Sequence, residues 1–259
     1  MSALPQTEKQ KFSLGEAIRL CVGYAVGIFL LYAFLIQPFY IPSGSMKGTL
    51  LVGDRVIVTK FSYGYSQYSI PFQPISFPGR YFPTLPERGD VVVFRAELDD
   101  TDSDFVKRIV GIPGDTIQMI DGVLHINGQP VKREPMEDFV GEDACAGGTT
   151  TVVTRVKRWK ETLPNGVSHA ILDCMERGPL DSTPPIIVPA GRYFMMGDNR
   201  DNSTDSRVPE PDGFGTIPFE NILGKAQIIF FSIAEGEPGW MFWRWPWTVR
   251  WNRLLAIVR

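Results

Sequence analysis

An uncharged apolar stretch near the N-terminus constrains this chain more than any other feature. Between Leu20 and Ile36 the sequence reads LCVGYAVGIFLLYAFLI, without a charged residue. Extended to residues 17–37, the stretch reaches the roughly 20 residues that an α-helix needs to cross a bilayer. Arg19 lies near one end, where its guanidinium can extend to the interface, and Pro38 is expected to end the helix. We therefore predict a transmembrane anchor at 17–37, preceded by a tail at 1–16.

A cleaved targeting segment is the alternative interpretation of this stretch. Cleavage requires small residues just after the apolar core, whereas the bulky sequence QPFY follows Ile36. Three basic residues in the first 19 positions precede the stretch, against Lys47 and Arg55 at a similar distance after it. The positive-inside rule therefore predicts a cytoplasmic N-terminus, with the bulk of the chain on the other side of the membrane.

The rest of the chain predicts a mainly β fold built from antiparallel strands. Glycine (25) and proline (21) are abundant, as is typical of turn-rich proteins. The runs predicted as strands are 55–61, 91–94, 105–112, 116–120, 123–126, 152–160, 169–175, 192–197 and 226–233. Asp121-Gly122 and Asn127-Gly128 predict tight hairpins on both sides of the strand at 123–126. Residues 62–90 are expected to form an exposed loop.

These elements suggest a division into a core, an insertion and a tail. The predicted units are a β core at 38–120 and 190–235, an inserted β-hairpin subdomain at 121–189, and a tail at 236–259. Both cysteines outside the anchor, Cys145 and Cys174, lie in the insertion. Because that segment is expected to lie outside the cytoplasm, where disulfides form, we predict a bridge between them. Two separate buried thiols are the alternative.

Composition excludes several classes of function. The net charge of −3 argues against a nucleic-acid partner, since such proteins usually carry a basic excess. Three cysteines are too few for a four-cysteine zinc site. With only two histidines, His125 and His169, a multi-histidine metal site or a Ser-His-Asp triad is not expected. We therefore predict no metal and no cofactor.

Two serines flank a glycine just beyond the anchor, in the sequence IPSGSMK at 41–47. Glycine lets the backbone turn tightly, so that a hydroxyl can be held exposed. Taken alone, this segment is equally well explained as a polar loop beside the membrane.

Two adjacent basic residues lie in the predicted strand FVKRIVG at 105–111. Side chains alternate along a strand, so Lys107 and Arg108 are expected on opposite faces, one in water and one in an apolar layer. Burial lowers the pKa of a lysine, and a neutral amine can act as a general base. In the alternative interpretation, both side chains extend to the surface.

The segment GDNRDNSTDSR at 197–207 is dense in hydrogen-bonding side chains. A calcium loop is one alternative, with candidate ligands Asp201, Ser203, Asp205 and Asp212. Ser206 occupies the position where such a loop requires glycine, and the last ligand is Asp instead of Glu. A turn network without chemistry is the other alternative.

Together with RGDVVVF at 88–94, these three segments resemble the sequence boxes of bacterial type I signal peptidases, also called leader peptidases. Those enzymes carry an anchor, then S-x-S-M, then K-R-x-x-G-x-P-G-D, then G-D-N-x-x-x-S-x-D-S-R. The match in order and spacing runs from the anchor to about residue 233. One departure is Gly48, where the family usually has proline.

The resemblance assigns a role to each residue of the boxes. It implies that Ser45 is the nucleophile and that Lys107 is its general base, with Ser203 orienting the lysine amine. The Ser43 hydroxyl and the Ser45 N–H would donate to the oxyanion. The residues expected to be structural at the site are Asp198, Asn199, Asp205 and Arg207, the last two as an ion pair. The residues expected to line the substrate pocket are Ile41, Pro42, Met46, Leu50, Phe105 and Val106.

By the same resemblance, the chain is expected to be a membrane-bound serine endopeptidase that removes N-terminal signal peptides from exported preproteins. Cleavage would follow small residues in an A-x-A pattern, with the substrate extended along the strand edges at 38–45 and 104–107. The implied partners are signal peptides, membrane lipid and the secretion machinery. The implied location is the inner (plasma) membrane, with the catalytic domain on its periplasmic side. A LexA-like Ser/Lys self-cleaving protein and a non-catalytic membrane-anchored binding or assembly protein are the alternatives.

The C-terminal tail is rich in tryptophan and arginine. Five of the six tryptophans and four arginines fall within 238–259, which contains no acidic residue. Tryptophan favours the headgroup layer, and arginine is attracted to anionic lipid. We predict that the tail docks on the outer face of the membrane and forms a short interfacial helix after Pro246. A tryptophan cluster packed on the β core is the alternative.

Overall fold

Strands dominate the computed structural model of the chain, which describes residues 13–70, 76–98, 101–142, 145 and 153–259. Within these ranges, α-helix is limited to α1 (Leu14–Phe34) and α2 (Trp245–Thr248). The strands are β1 (Ile36–Tyr40), β2 (Asp54–Thr59), β3 (Val91–Leu98), β4 (Thr101–Gly111), β5 (Thr116–Ile120), β6 (Val123–Ile126), β7 (Gln129–Pro130), β8 (Lys132–Pro135), β9 (Phe139–Glu142), β10 (Val153–Thr162), β11 (Ser168–Asp173), β12 (Ile186–Ile187), β13 (Arg192–Met196), β14 (Ile217–Pro218), β15 (Ile222–Ser232) and β16 (Ala256–Ile257). The prediction of a mainly β fold is confirmed.

Helix α1 contains most of the apolar stretch and has the length of a membrane span. Its mean hydropathy is 1.9 and only 6% of its apolar window is buried within the protein. Ser13 and Glu16 form a capping box that satisfies the first backbone N–H groups. The helix ends at Phe34, earlier than the predicted end at residue 37, because residues 36–40 pair with β2. Pro38 therefore lies in an edge strand, which tolerates a missing backbone donor.

The largest sheet has eight antiparallel strands, in the order β1-β2-β15-β3-β4-β13-β14, with β16 paired to β15. Strand β3 pairs along its whole length with residues 101–108 of β4. On its other side, β4 pairs with β13 only through residues 108–111. The stretch at 104–107 therefore keeps one free edge within the described residues.

Two smaller sheets lie between β4 and β13 in the sequence. One has the order β12-β5-β6-β7, and in the other β10 pairs with β8, β9 and β11. The two hairpin turns beside β6 are confirmed, since Asp121 and Asn127 and the glycine after each have positive φ. The division at 121–189 stays a prediction. The predicted Cys145–Cys174 disulfide is present.

The tail packs against the large sheet and does not form the predicted helix after Pro246. Helix α2 ends at Thr248, and β16 pairs with Ile228 and Ile229 of β15. Arg253 donates to the fully buried Asp54, with 2.6 Å between Nη2 and Oδ2, which ties the backbone to the sheet. The helix prediction is wrong: after Thr248 the chain forms a 3₁₀ turn at Trp251–Arg253 and then strand β16, because Arg253 binds Asp54 and residues 256–257 pair with β15.

Candidate active site

Ser45 lies in a single 3₁₀ turn, Gly44–Met46, that follows β1. Met46 and Leu50 are buried in a core cluster, together with Val56 and Val58 of β2. The Leu50 N–H donates to the Met46 carbonyl at 2.7 Å, which closes the turn. The core therefore holds the residues after Ser45 rigidly, while the serine hydroxyl faces the neighbouring strand β4.

Lys107 of β4 donates to the Ser45 hydroxyl, with 2.7 Å between Nζ and Oγ. The lysine is only 4% exposed, and within the described residues no carboxylate lies within ion-pair distance of it. Burial lowers the pKa of Lys107 to about 8, although Asp205 opposes this change. An amine with this pKa is partly neutral near physiological pH and can accept the proton of the hydroxyl.

Arg108 is fully buried on the other side of β4, so the expectation that one of the two basic side chains reaches water is wrong. Its guanidinium forms a bidentate pair with Asp198, at 2.8 and 2.7 Å, and donates to the Gly89 carbonyl at 2.7 Å. Burial would raise the pKa of Asp198, but Arg108 and a hydrogen bond from Thr49 outweigh it and hold that pKa below its ordinary value. The burial of this arginine is possible because a carboxylate neutralises it.

The loop at 197–207 contains the expected ion pair between Asp205 and Arg207, at 2.8 and 2.9 Å. Asp205 also accepts from the Gly197 N–H, and Asp201 accepts from the N–H groups of Cys174 and Met175. Because protein donors bind these carboxylates, they are not arranged as ligands of calcium. Among the described residues, no group of three acidic, histidine or cysteine side chains could hold a metal ion.

The two further serines lie close to the nucleophile. Ser43 Oγ is 3.5 Å from Ser45 Oγ. Ser203 is largely buried, and its hydroxyl lies 3.5 Å from the Thr204 carbonyl, not hydrogen-bonded to Lys107. A Cβ on Gly197 would overlap the Ser203 hydroxyl and lie 2.7 Å from the Ser45 carbonyl oxygen. The glycine thus lets Ser203 and the Ser45 turn approach each other.

The structure brings together most of the residues expected in the substrate pocket. Ile41, Met46 and Leu50 belong to one core cluster, and Val106 packs against it. Pro42 is exposed beside them. Phe105 does not join this group but packs against Phe214, with 4.5 Å between ring centroids.

Gly48, the departure from the family pattern, lies against strand β11. A Cβ at this position would overlap the Ala170 carbonyl oxygen and lie 3.0 Å from Asp198 Cβ. A glycine here therefore allows β11 to approach the turn that carries Ser45.

Several buried polar residues behind Arg108 were not predicted. Thr49 donates to Asp198 at 2.5 Å, and Arg200 forms a buried ion pair with Glu161. His169 lies 3.8 Å from Asp198, and burial lowers its pKa to about 4. Glu161 and His169 occur in stretches without a recognisable motif, so only the pairing of strands β10 and β11 reveals their position.

The sequence and the fold were compared with families and structures of known proteins. The family described as "Signal peptidase, peptidase S26" matches residues 14–231. The signal peptidase I of Rickettsia typhi is 40% identical over 235 residues, which cover 88% of this chain and 81% of that protein. The signal peptidase I of Rickettsia massiliae is 41% identical over 239 residues, covering 88% and 85%. A crystal structure of a signal peptidase I from Enterococcus faecalis overlaps 55% of this chain and 97% of that one, at 24% identity and a TM-score of 0.30.

Proposed function

Because this chain belongs to the signal peptidase family, peptidase S26, it is a serine peptidase that removes signal peptides, and we propose that Ser45 and Lys107 form its catalytic dyad. The observation that carries the proposal is the 2.7 Å hydrogen bond between the buried amine and the serine hydroxyl. A serine hydroxyl is a weak nucleophile until a base takes its proton, and Lys107 is the base within reach.

The first chemical step is attack on the substrate carbonyl. Neutral Lys107 takes the proton of Ser45 as Oγ bonds to the carbonyl carbon, and the carbonyl oxygen becomes an oxyanion. We propose that the Ser45 N–H and the Ser43 hydroxyl, whose Oγ lies 3.5 Å from Ser45 Oγ, donate to that oxygen. Removal of one such donor typically slows an enzyme by about 10²–10³-fold.

The second step releases the mature protein. The protonated Lys107 gives its proton to the leaving amide nitrogen, the peptide bond breaks, and the signal peptide stays as an ester on Ser45. Lys107, neutral again, then takes a proton from water, which attacks the ester. Collapse of that second oxyanion frees the signal peptide and returns the proton to Ser45 Oγ.

We propose that an extended substrate binds along two strand edges that have no partner strand among the described residues. Strand β1 ends the large sheet and pairs within the described residues with β2 alone, and 104–107 of β4 has one unpaired edge. A peptide added to such edges gains backbone hydrogen bonds, and alternate side chains then point into pockets. Val106, half-buried next to Lys107, is an apolar side chain still accessible here, while Ile41 and Met46 lie in the core cluster against which it packs. We propose that this limited apolar surface favours small residues at the cleavage site.

We propose that the anchor holds this site at a membrane surface. Helix α1 is a candidate span, and β1 begins two residues after it. The Tyr65 hydroxyl donates to the Phe34 carbonyl at 2.8 Å, which ties the end of the helix to the catalytic domain. We assign the inner membrane, a cytoplasmic N-terminus and a periplasmic catalytic domain, where preproteins emerge from the secretion machinery.

We further propose that the tail touches the same membrane. Trp247 is 83% exposed and Trp240 69%, although the tail backbone is bound to the sheet. In the alternative interpretation the tryptophans pack on the core. Of the tail tryptophans, Trp245 fits it, since its ring centroid lies 5.1 Å from that of Phe231. Trp247→Ala should weaken binding of the chain to anionic liposomes, whereas Trp245→Ala serves as the packed control. Equal binding of both variants and the wild type would contradict docking.

Cleavage of a preprotein by the purified chain tests the dyad. Wild-type protein in detergent micelles should release the mature protein, and Ser45→Ala should not. Ser182→Ala, an exposed serine distant in sequence from the boxes, is the matched control. Cleavage by the Ser45→Ala variant would contradict the dyad, as would autocleavage without preprotein turnover, the outcome expected of a LexA-like protein. Binding without cleavage by the wild type would favour a non-catalytic binding protein.

A further inference from the structure

Asn199 contacts the backbone of the nucleophile turn at two successive carbonyls. Its side-chain Nδ2 donates to the Gly44 carbonyl at 3.1 Å, and its own backbone N–H donates to the Ser45 carbonyl at 3.0 Å. The asparagine is fully buried. Both donors are therefore shielded from water, while Gly44 and Ser45 are half-buried, and hydrogen bonds are stronger where water is partly excluded.

The Gly44 carbonyl belongs to the same peptide unit as the Ser45 N–H. That peptide is trans, since among the described residues only Glu210–Pro211 is cis. In a trans peptide the C=O and the N–H point in opposite directions. The side chain that holds the Gly44 oxygen on one side thus turns the Ser45 N–H toward the other side, away from Asn199.

The same carbonyl accepts a second hydrogen bond, from the Lys47 N–H at 3.0 Å. Two donors on one carbonyl draw electron density toward its oxygen, and hydrogen bonds in a chain polarise one another. The N–H at the opposite end of the unit becomes a stronger donor. Its orientation is also fixed before substrate binds, so little reorganisation is needed during the reaction.

Asn199 is itself held by strand β11. The Leu172 N–H donates to the Asp198 carbonyl at 2.8 Å, and the Arg200 N–H donates to the Leu172 carbonyl at 3.0 Å. Asp198, the preceding residue, forms the ion pair with Arg108. The loop is therefore fixed on both sides of Asn199, and its amide cannot follow the turn if the turn moves.

We propose that Asn199 is a positioning residue for the oxyanion: it orients and polarises the Gly44–Ser45 peptide whose N–H stabilises the transition state. This inference rests on the proposed function, because it takes Ser45 as the nucleophile. It gives a mechanistic role to a residue that the family pattern marks only as structural.

The test compares Asn199→Ala and Asn199→Leu with the matched control Asn202→Ala, in the chain cleaving a preprotein. Leucine keeps the branched shape of the side chain and removes the donor without adding a charge, so it provides the same measurement if the alanine variant folds poorly. We expect kcat to fall about 10–100-fold in both Asn199 variants, less than the loss from removing an oxyanion donor outright.

KM should stay within about twofold of wild type and the pH midpoint of activity within about 0.3 units, because an interaction made only in the transition state lowers kcat without weakening substrate binding. Asn202→Ala should retain wild-type kcat.

Binding measurements separate this role from a general loss of structure. A peptide aldehyde, which forms a tetrahedral adduct with the serine, should lose affinity by the same factor as kcat. The Kd of uncleaved preprotein should be equal for Ser45→Ala and for Ser45→Ala combined with Asn199→Ala. A wild-type kcat in Asn199→Leu, a shifted pH midpoint, or a loss confined to KM would overturn the inference. Cleavage by Ser45→Ala would instead overturn the proposed function itself.

Discussion

Lys107 and Arg108 are neighbours on one strand, and both are buried cations, yet they have opposite surroundings. Lys107 donates to a single uncharged hydroxyl, that of Ser45, and burial lowers its pKa to about 8. Arg108 is bound by the carboxylate of Asp198 and by backbone and hydroxyl acceptors. Strand alternation sends the two side chains to opposite faces.

The difference shows that burial of a cationic side chain can have two outcomes. It can produce a general base, or it can produce a fixed ion pair. A buried lysine without a carboxylate partner can lose its proton, and the neutral amine is then reactive. A buried arginine cannot lose its proton in this way, so it requires a partner and becomes a fixed structural element. Burial of the lysine therefore reduces stability while it is protonated, whereas the buried arginine and Asp198 depend on each other, and removal of either leaves an uncompensated charge.

The sharpest test of this contrast is Lys107→Arg. A guanidinium stays charged and cannot accept the proton of Ser45, so preprotein cleavage should fall roughly 10³-fold or more. The measurement is the rate of mature-protein release at pH 8, with Lys132→Arg as an exposed control. Turnover near the wild-type rate would show that Lys107 is not the base.

Arg108→Met should reduce stability strongly, because it leaves the Asp198 carboxylate buried without its partner. A loss of about 3–5 kcal/mol is expected from breaking a buried ion pair. Thermal unfolding of the chain in detergent micelles would measure it. The control is Arg155→Met, an exposed residue 3.9 Å from Asp138, which should cost less than about 1 kcal/mol. Equal effects would mean that the buried pair contributes no more to stability than an exposed one.

The rate of preprotein cleavage should follow the protonation of Lys107 and not that of Asp198. With a pKa of about 8, the neutral fraction rises about 50-fold between pH 6 and pH 8 and levels off above pH 9. Asp198, whose pKa is lowered by Arg108, stays ionised across this window. The stability from the Arg108–Asp198 pair is present above the ordinary pKa of aspartate, about 3.9, and is lost as the pH falls through the folded value. A rate that is flat from pH 6 to pH 9 would contradict a lysine base.

Lys107→Met should stabilise the protein at pH 7, opposite in sign to Arg108→Met. The pKa falls from 10.5 to about 8 on folding, so the unfolded chain binds the extra proton between these values and wild-type stability rises with pH across them. We expect a gain of about 1–3 kcal/mol at pH 7 that shrinks toward pH 10. A gain that does not depend on pH would indicate improved packing instead of removal of a buried charge.

Much of the fold follows from local patterns. The positions of most strands and both hairpins beside β6 were predicted from Val- and Ile-rich runs and from Asp-Gly and Asn-Gly pairs, whose turn geometry is local. The end of the anchor helix and the path of the tail were not predicted. Both depend on partners distant in sequence, β2 for residues 36–40 and Asp54 for Arg253.

In the candidate site, too, the features that depend on contacts between distant segments were not predicted. Motif order indicated Ser45, Lys107 and the Asp205–Arg207 pair, which the structure contains. Burial of Arg108, its pairing with Asp198 and the contact of Asn199 with the Gly44 carbonyl were not predicted, because each depends on how β4, β11 and the 197–207 loop meet.

The apolar anchor, the β pattern and the residue types available for chemistry can all be predicted from the chain, since hydrophobic length, side-chain period and functional groups are local properties. Which of the two adjacent cations lacks a carboxylate partner among the described residues depends instead on the fold. Desolvation and ion pairing depend on neighbours within a few ångströms, and the residues that provide them lie 62 positions from Lys107 in the case of Ser45 and 90 from Arg108 in the case of Asp198. The pKa of Lys107, and with it the reactivity of Ser45, is therefore a property of the fold.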